Sequence, residues 1–577
     1  MNPRRIERRI PLAETHFSEC LHPLLQRIYA ARQIHDEAAL DNALSALYDY
    51  RAFSNMEKAV TLLADCLEQQ RRMLVVGDFD ADGATSSALG VRALRRLGAT
   101  QVDYLVPNRF EYGYGLTPEI VALAVERKPY LIITVDNGIS SLSGVQAART
   151  AGIRVLVTDH HLPGSELPNA DAILNPNLPG DAFPSKHLAG VGVMFYLLLA
   201  LRAQLRTDNW FIKCGIPEPN LAEYLDIVAL GTVADLVPLD HNNRVLVAQG
   251  MARIRTGRCV PGIRALLELG KRDLKRLTAA DLGFAVAPRL NAAGRLTDMS
   301  LGIECLLADE PVQARELAVR LDELNHERRH IEARMQEEAL HALENLSVDA
   351  EDSALPFGLC LFNEEWHQGV VGLVASRIKD RVHRPVIAFA RAEDGTLKGS
   401  ARSITGVHIR DALEAVSTRH PGLITKFGGH AMAAGLTLAA DAFETFAPAF
   451  DAEVRHWLSA EDLAGVMHTD GELAPEFITL ETAELLRMAG PWGQGFPEPS
   501  FDGVFHLLER RIVGDKHLKL ALAEPVTGLR LEAIAFNQDG GQLPTDCKQV
   551  RIVYRPDINE YRGERRLQLV VDAIEPV

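Results

Sequence analysis

From residue 73 onward, short and uniformly apolar runs alternate with stretches whose apolar positions recur at helical spacing. Met73-Leu-Val-Val-Gly77, Tyr130-Leu-Ile-Ile-Thr-Val135 and Arg154-Val-Leu-Val-Thr158 read as buried strands, and 85–97, 117–127 and 143–151 read as the helices between and after them. Strand–helix–strand alternation predicts an α/β fold with a doubly wound parallel sheet, in which ligands bind where strands stop. Residues 312–355 contain no Gly or Pro, and Leu317, Leu321, Leu324, Ile331, Met335 and Ala339 recur at steps of three, four and seven. That spacing predicts a long connecting helix joining two domains. A second, smaller α/β unit follows, with strands at 358–362 and 385–389 around a helix at 372–380. From about residue 468 the pattern changes to period 2, in Leu518-Lys-Leu-Ala-Leu522, Val550-Arg-Ile-Val-Tyr554 and Leu567-Gln-Leu-Val-Val571, which predicts a small β-barrel. The chain therefore divides into an N-terminal helical segment (1–50), a large α/β domain (51–310), a connecting helix (311–350), a second α/β domain (351–458) and a terminal barrel (468–577).

Composition narrows the setting. Of 577 residues 47% are hydrophobic and 24% charged, ordinary for a globular protein of several domains. The longest apolar run, 191–201, is far shorter than the ~20 residues of a membrane span, so no membrane association is expected. The basic N-terminus is followed by no apolar core, and the seven cysteines are scattered with no CxxC pair. Both features predict a cytoplasmic protein without disulfides or a thiolate zinc site. The net charge of −16 argues against a protein that coats nucleic acid nonspecifically. It is compatible with a nuclease, because carboxylates gathered around divalent cations become electropositive once the metals bind.

The strand ends carry the candidate chemistry. The first runs into Gly77-Asp-Phe-Asp-Ala-Asp-Gly83, placing Asp78, Asp80 and Asp82 at alternate positions, where they repel one another unless solvated or neutralised. A calcium EF-hand loop also has glycine in sixth place, but its twelfth position would be Glu, not Leu89, and a helix would precede it. The second strand ends at Asp136-Asn-Gly138 and the third at Asp159-His160-His161. Singly these read as a turn and a structural histidine; together with the first they bring acids from three strands, and two imidazoles, to one sheet edge. Asp226 opens a further apolar element that closes on Asp235, the weaker candidate of the two. Oxygen ligands with one or two imidazoles suit Mn²⁺ or Mg²⁺ better than zinc or copper, and so many carboxylates can hold two ions about 3.5–4 Å apart. The chemistry indicated is metal-dependent phosphoester hydrolysis. In the second α/β unit, Lys426-Phe-Gly428-Gly429-His430 offers close backbone approach to a phosphate, or a tight turn with a buried histidine. Gly399-Ser400-Ala-Arg402-Ser403 sets a hydroxyl and a guanidinium on alternate residues of one strand.

Asp159-His160-His161 resembles the signature of the DHH phosphoesterase superfamily, and Asp78-x-Asp80-x-Asp82-Gly83, Asp136-Asn-Gly138 and Asp226…Gly231-Thr232 are similar to its other motifs in the same order. The resemblance implies a DHH catalytic domain with Asp80, Asp82, Asp136, His160 and Asp226 as metal ligands and Asp78 as a further acid. His161 would face the scissile phosphate, and Asp159 would orient a histidine. Ser400, Arg402, Gly428, Gly429 and His430 resemble the DHH-associated domain of the RecJ-type exonucleases, where they are implied to hold a 5′-terminal nucleotide. Arg109, Arg289 and Arg295 lie in segments similar to that family and would contact phosphates. The barrel looks like an oligonucleotide-binding fold, with Lys516, His517, Lys519, Tyr554, Tyr561, Arg562, Arg565 and Arg566 as candidates for a stacking, basic groove.

The resemblance implies a two-ion, 5′→3′ exonuclease specific for single-stranded DNA, acting as a monomer in recombination and repair. It also implies partnership with single-strand-binding protein and a RecQ-type helicase. Two alternatives belong to the same superfamily: an oligonucleotide or cyclic-dinucleotide phosphodiesterase, and a catalytically silent DNA-binding scaffold. The barrel disfavours the first and the full set of acids the second.

Overall fold

The computed structural model describes residues 5–108, 111–112, 114–349, 355–514, 516–538, 540–541, 543–561 and 563–577. A short strand, β1 (Arg5–Arg8), and one α-helix, Pro23–Ala30, lead through 3-10 turns into the large α/β domain. Its strands are β2 (Met73–Val76), β3 (Val102–Leu105), β4 (Leu131–Val135), β5 (Arg154–Thr158) and β6 (Ala172–Leu174). They form one parallel sheet in the order β3-β2-β4-β5-β6. Helices cover both faces, so the central strands β2 and β4 are buried along their whole length and their side chains divide by parity. Met73 and Val75 pack with the helices Ala81–Arg96 and Gly190–Thr207, whereas Leu74 and Val76 pack with Pro118–Glu126 and Leu142–Thr150. The chain reverses direction across the sheet between β2 and β4, which opens a crevice at their carboxyl ends.

The connecting helix, Pro311–Asp349, begins in one domain and ends in another. Ala318 and Leu321 belong to the core of the large domain; Met335, Ala339 and Leu343 belong to that of the second. This second domain is a mixed sheet of β7 (Leu359–Phe362), β8 (Val386–Arg391), β9 (Leu397–Arg402), β10 (Lys426–Gly429) and β11 (Ala433–Leu438). Their order is β10-β11-β9-β8-β7, with only β7 and β8 parallel.

After β12 (Val466–Thr469) the chain forms a closed five-stranded barrel from β13 (Phe501–Val513), β14 (His517–Ala523), β15 (Arg530–Ala535), β16 (Gln549–Tyr561) and β17 (Glu564–Pro576). Alternate residues of β14 are buried, as its period-2 sequence predicts. One expectation is corrected at the N-terminus. Residues 1–50 were expected to be helical, but β1 pairs in parallel with β12, and among the described residues of this segment only Pro23–Ala30 is α-helical. The segment is held by partners more than 400 residues away, which its local spacing cannot reveal.

Candidate active site

Three strand ends and one helix build the cluster. Beyond β2, Asp80 caps the helix Ala81–Arg96: its Oδ1 accepts the N–H groups of Asp82 (2.9 Å) and Gly83 (3.0 Å). Gly83 is required there, because a Cβ would sit 2.5 Å from the Asp78 carbonyl oxygen. Beyond β4, Asp136 is held in the left-handed region at φ 61°, a strain tolerated where function over-determines the backbone. Asp159 follows β5 directly. Asp80 and Asp136 therefore flank the reversal of strand order, and Asp159 stands one strand further along.

Asp78, Asp80 and Asp136 form one group whose ligand atoms lie within 4.8 Å of one another; Asp82, His160 and Asp235 form a second, and Asp136, His160 and His161 a third. Asp136 and His160 are shared, and His160 Nε2 is 3.0 Å from Asp136 Oδ1 and 3.5 Å from Asp235 Oδ2. The wall behind Asp136 is Gly190, where a Cβ would lie 2.6 Å from the Asp136 Cβ. Asp82 accepts the N–H groups of Gly190 (2.6 Å) and Val191 (3.0 Å) at the start of the helix Gly190–Thr207. Burial, then repulsion from Asp235, pushes Asp82 up to about 7, and burial, then Asp80, pushes Asp235 up to about 8. Asp136 is raised well above the carboxylate range by burial and by Asp82. Carboxylates this crowded and this dry bind protons unless a cation replaces them, and an oxygen-rich set with one or two imidazoles fits Mn²⁺ or Mg²⁺.

Beside the cluster, His161 Nδ1 lies 2.7 Å from Asp159 Oδ1. Asp159 also accepts the N–H groups of His160, His161 and Ile139. Burial opposes charge on His161, but the Asp159 contact prevails and raises the imidazole to about 9. Burial, then the charge on His161, lowers His160, which suits a neutral ligand. The Tyr114 hydroxyl reaches both the Asp136 carbonyl (3.1 Å) and His161 Nδ1 (3.2 Å). From the second domain, His430 stacks on His161 with ring centroids 5.9 Å apart. The Gly-Gly-His turn thus lies across the metal cluster. Gly429 allows that turn, with φ 148° and no space for a Cβ, which would be 2.4 Å from the Ala433 carbonyl. Ser400 Oγ and Arg402 Nη1 are 3.1 Å apart on β9, and both side chains approach Gly372, where a Cβ would collide with them.

The structure brings Asp78, Asp80, Asp82, Asp136, Asp159, His160 and His161 together, with His430 above them. It does not bring Asp226. That residue opens the helix Leu225–Ala234 and accepts the Val260 N–H at 2.7 Å, whereas Asp235 caps the helix's other end inside the cluster. The two acids exchange the ranks that the sequence suggested, because the apolar stretch between them is a helix whose C-terminal end meets the site. Arg289 makes an ion pair with Asp322 of the connecting helix (2.8 Å), and Arg295 donates to the Gly369 carbonyl (3.2 Å) at the junction with the second domain. Arg109 and Arg562 lie outside the described residues, as does the side chain of Tyr561. On the barrel, Tyr554 is buried against Phe501 and Phe505 and offers no stacking face. Lys519, Arg565 and Arg566 are paired with Glu532, Glu484 and Glu564. Sequence reasoning passed over Gly190 and gave no role to Tyr114 or Asn291, although the segments of both drew notice. The last accepts the Ala81 N–H at 2.8 Å and so ties the metal loop to the helix Ala287–Leu296.

Comparison with known proteins agrees with this architecture. Residues 72–232 match the DHH family, N-terminal domain; 356–456 match the DHHA1 domain; and 469–573 match the RecJ OB domain. The single-stranded-DNA-specific exonuclease RecJ of Dickeya dadantii is 57% identical over 571 residues, 99% of each chain. That of Escherichia coli is 56% identical over 96% of each. The crystal structure of RecJ in complex with Mn²⁺ from Thermus thermophilus superposes with a TM-score of 0.78 at 30% identity, covering 96% of this chain and 76% of that one. The Mg²⁺ complex of RecJ from the same organism gives 0.73 at 28% identity, covering 96% of this chain and 75% of that one. Sequence, domain order and fold agree along nearly the whole length, and the chain belongs to the RecJ family of DHH phosphoesterases.

Proposed function

We propose that the protein removes nucleotides from the 5′ end of single-stranded DNA, hydrolysing each phosphodiester to a 5′-mononucleotide at a two-ion centre. Family membership supplies the coarser statement, a metal-dependent single-strand exonuclease. The observation that supports the finer one is the stacking of His430 on His161, which sets the glycine turn of the second domain against the metal cluster. A strand must enter between two domains, and a pocket beside the metals that takes a terminal phosphate restricts cutting to the end.

Asp78, Asp80, Asp82, Asp136, His160 and Asp235 would hold two Mn²⁺ or Mg²⁺ ions, which when bound supply an activated water and neutralise the oxygens of an in-line displacement. His161, kept cationic by Asp159, donates to a phosphate oxygen, and the Tyr114 hydroxyl fixes its ring. Ser400, Arg402 and the Gly428-Gly429-His430 turn would hold the 5′-terminal phosphate, and the barrel would take the strand further on. Action in recombination and repair as a cytoplasmic monomer, beside single-strand-binding protein and a RecQ-type helicase, belongs to the same reading. Among the described residues, no helix is long and apolar enough to cross a membrane.

The test is digestion of strands labelled at either end with Mn²⁺, Mg²⁺ or EDTA, alongside Asp136→Ala. Mononucleotides should leave only from the 5′ side, and both chelation and the substitution should abolish release. Release from the 3′ end, or cleavage of dinucleotides alone, would overturn the proposal.

A further inference from the structure

The Asp159 carboxylate takes the N–H groups of both histidines, His160 at 2.7 Å and His161 at 3.1 Å. Their carbonyl oxygens are taken from another direction, by the loop that follows β6. Asn177 Nδ2 donates to the His160 carbonyl at 2.6 Å, and Asn175 Nδ2 donates to the His161 carbonyl at 2.8 Å. The peptide plane joining the two histidines is therefore held at both ends, its N–H by Asp159 and its C=O by Asn177. The backbone just after His161 is held by Asn175.

The two amides are themselves fixed. Asn175 is fully buried, and its Oδ1 accepts the Asn177 N–H at 2.8 Å, closing a turn over Pro176. The Asn177 nitrogen also reaches the Lys186 carbonyl at 3.3 Å, and Lys186 Nζ donates back to the carbonyls of Pro176 (2.7 Å) and Asp181 (2.8 Å). These partners decide which way each amide faces: an N–H group meets the Asn175 oxygen, and two carbonyls meet the Asn177 nitrogen. Asp in either place would set oxygen against oxygen, and Gln is one methylene too long. The same connection runs on to Gly190, whose N–H binds Asp82 and whose Cα backs Asp136. Residues 175–190 thus brace four members of the cluster, His160, His161, Asp82 and Asp136, from behind.

We propose that Asn175 and Asn177 are positioning residues for the two histidines, and that their effects are separable. Asn177 holds the peptide that carries His160, so it sets the metal-ligating ring as well as its neighbour. Asn175 holds only the backbone beyond His161, so it sets the imidazole that faces the phosphate. The inference rests on the roles given to His160 and His161 at the two-ion centre. Both amides act through the main chain, since the bonds they donate end on carbonyl oxygens. Loss of a group that orients a ligating histidine commonly costs about 10–100-fold in metal affinity or activity. A reacting group displaced by about 1 Å loses rate on a similar scale.

The experiment compares wild type, Asn175→Ala and Asn177→Ala by calorimetric titration of Mn²⁺ and by kinetics on a strand of about 20 nucleotides, long enough to pass the barrel. Asn177→Ala should weaken Mn²⁺ binding by about tenfold or more. Asn175→Ala should bind Mn²⁺ as wild type does. At saturating Mn²⁺ it should lower kcat on the long strand by about tenfold and leave KM unchanged, the signature of a contact made only in the transition state. A merely structural role would move both variants alike. Unchanged Mn²⁺ affinity in Asn177→Ala, equal weakening in the two variants, or wild-type kcat in Asn175→Ala overturns the inference. Should Asn175→Ala fail to fold, Asn177→Ala decides alone, because that residue is only half-buried. If wild type itself degrades no strand, the exonuclease reading fails, and the Mn²⁺ affinities still test the brace.

Discussion

Asp226 and Asp235 are nine residues apart on one helix, about 13 Å by its rise, so only one can reach the metal cluster. The cluster takes Asp235, beside Asp82 and His160. Asp235→Asn should abolish Mn²⁺-dependent hydrolysis and weaken Mn²⁺ binding, because it removes a charged ligand from the group. Asp226→Asn keeps an oxygen for the Val260 N–H and should leave metal binding and turnover near wild type. Calorimetric titration of Mn²⁺ into both variants checks the pair, and equal losses would overturn the assignment. Tyr114→Phe removes a hydroxyl bonded to charged His161 and should lower kcat by about tenfold or more, as loss of a hydrogen bond to a charged group commonly does. Steady-state rates on the long strand decide it. The two acids also mark the limit of sequence reading at this scale. The strand-end acids were legible because a strand's end in a parallel sheet has one place to go. For a buried helix that is apolar on every side, neither period nor composition tells which end faces the site.

The connecting helix Pro311–Asp349 does more than span a gap, since side chains along it fasten both domains. Asp322 takes Arg289 of the large domain, while Glu332 takes Arg377 (2.9 Å) and Glu338 takes the Trp366 indole N–H (2.8 Å) of the second. Because His430 and His161 belong to different domains, this strut sets their spacing. Glu332 also pairs with Arg328, which is buried, so Glu332→Ala should cost about 3 kcal/mol of stability, the low end for a broken buried pair because Arg377 stays hydrated. It should also raise KM for strands, as the two halves of the site lose register. Denaturant unfolding and steady-state kinetics measure the two effects. The helix was legible from its uninterrupted heptad-like spacing, and the barrel from period 2. The turn that carries His430 was legible only as a glycine pair. Its position over His161 depends on how two domains dock, and local sequence holds no record of docking angles.

At the scale of the whole molecule, the first residues of the chain tie the barrel to the catalytic domain. β1 pairs with β12, Tyr29 donates to the Ala489 carbonyl and stacks near Trp492 and Phe496, and Arg244 of the large domain lies over the Phe496 ring at 4.4 Å. Arg32 and Asp470 form an ion pair at 2.9 Å whose side chains are each only 1% exposed. Arg32→Ala would leave the buried Asp470 carboxylate with Arg9 at 3.3 Å as its one cation and the Ser500 N–H at 3.1 Å, and should destabilise the protein by about 3–5 kcal/mol, as breaking a buried pair does. Nearby, burial opposes charge on Asp502, yet hydrogen bonds from Arg8 and Thr469 hold its carboxyl below the usual range. A carboxylate with a depressed folded pKa contributes stability above its unfolded value, near 3.9, and that contribution is lost as pH falls through the folded value. The stability gap between wild type and Asp502→Asn should therefore be full at neutral pH and narrow below about pH 4. Melting temperatures of both proteins across that range measure it, and a constant gap would show that Asp502 acts through packing and not through its charge. Loosening the clamp should also separate the barrel from the metals. Arg32→Ala should lose affinity for long strands while a dinucleotide, too short to reach the barrel, is cut at the wild-type rate.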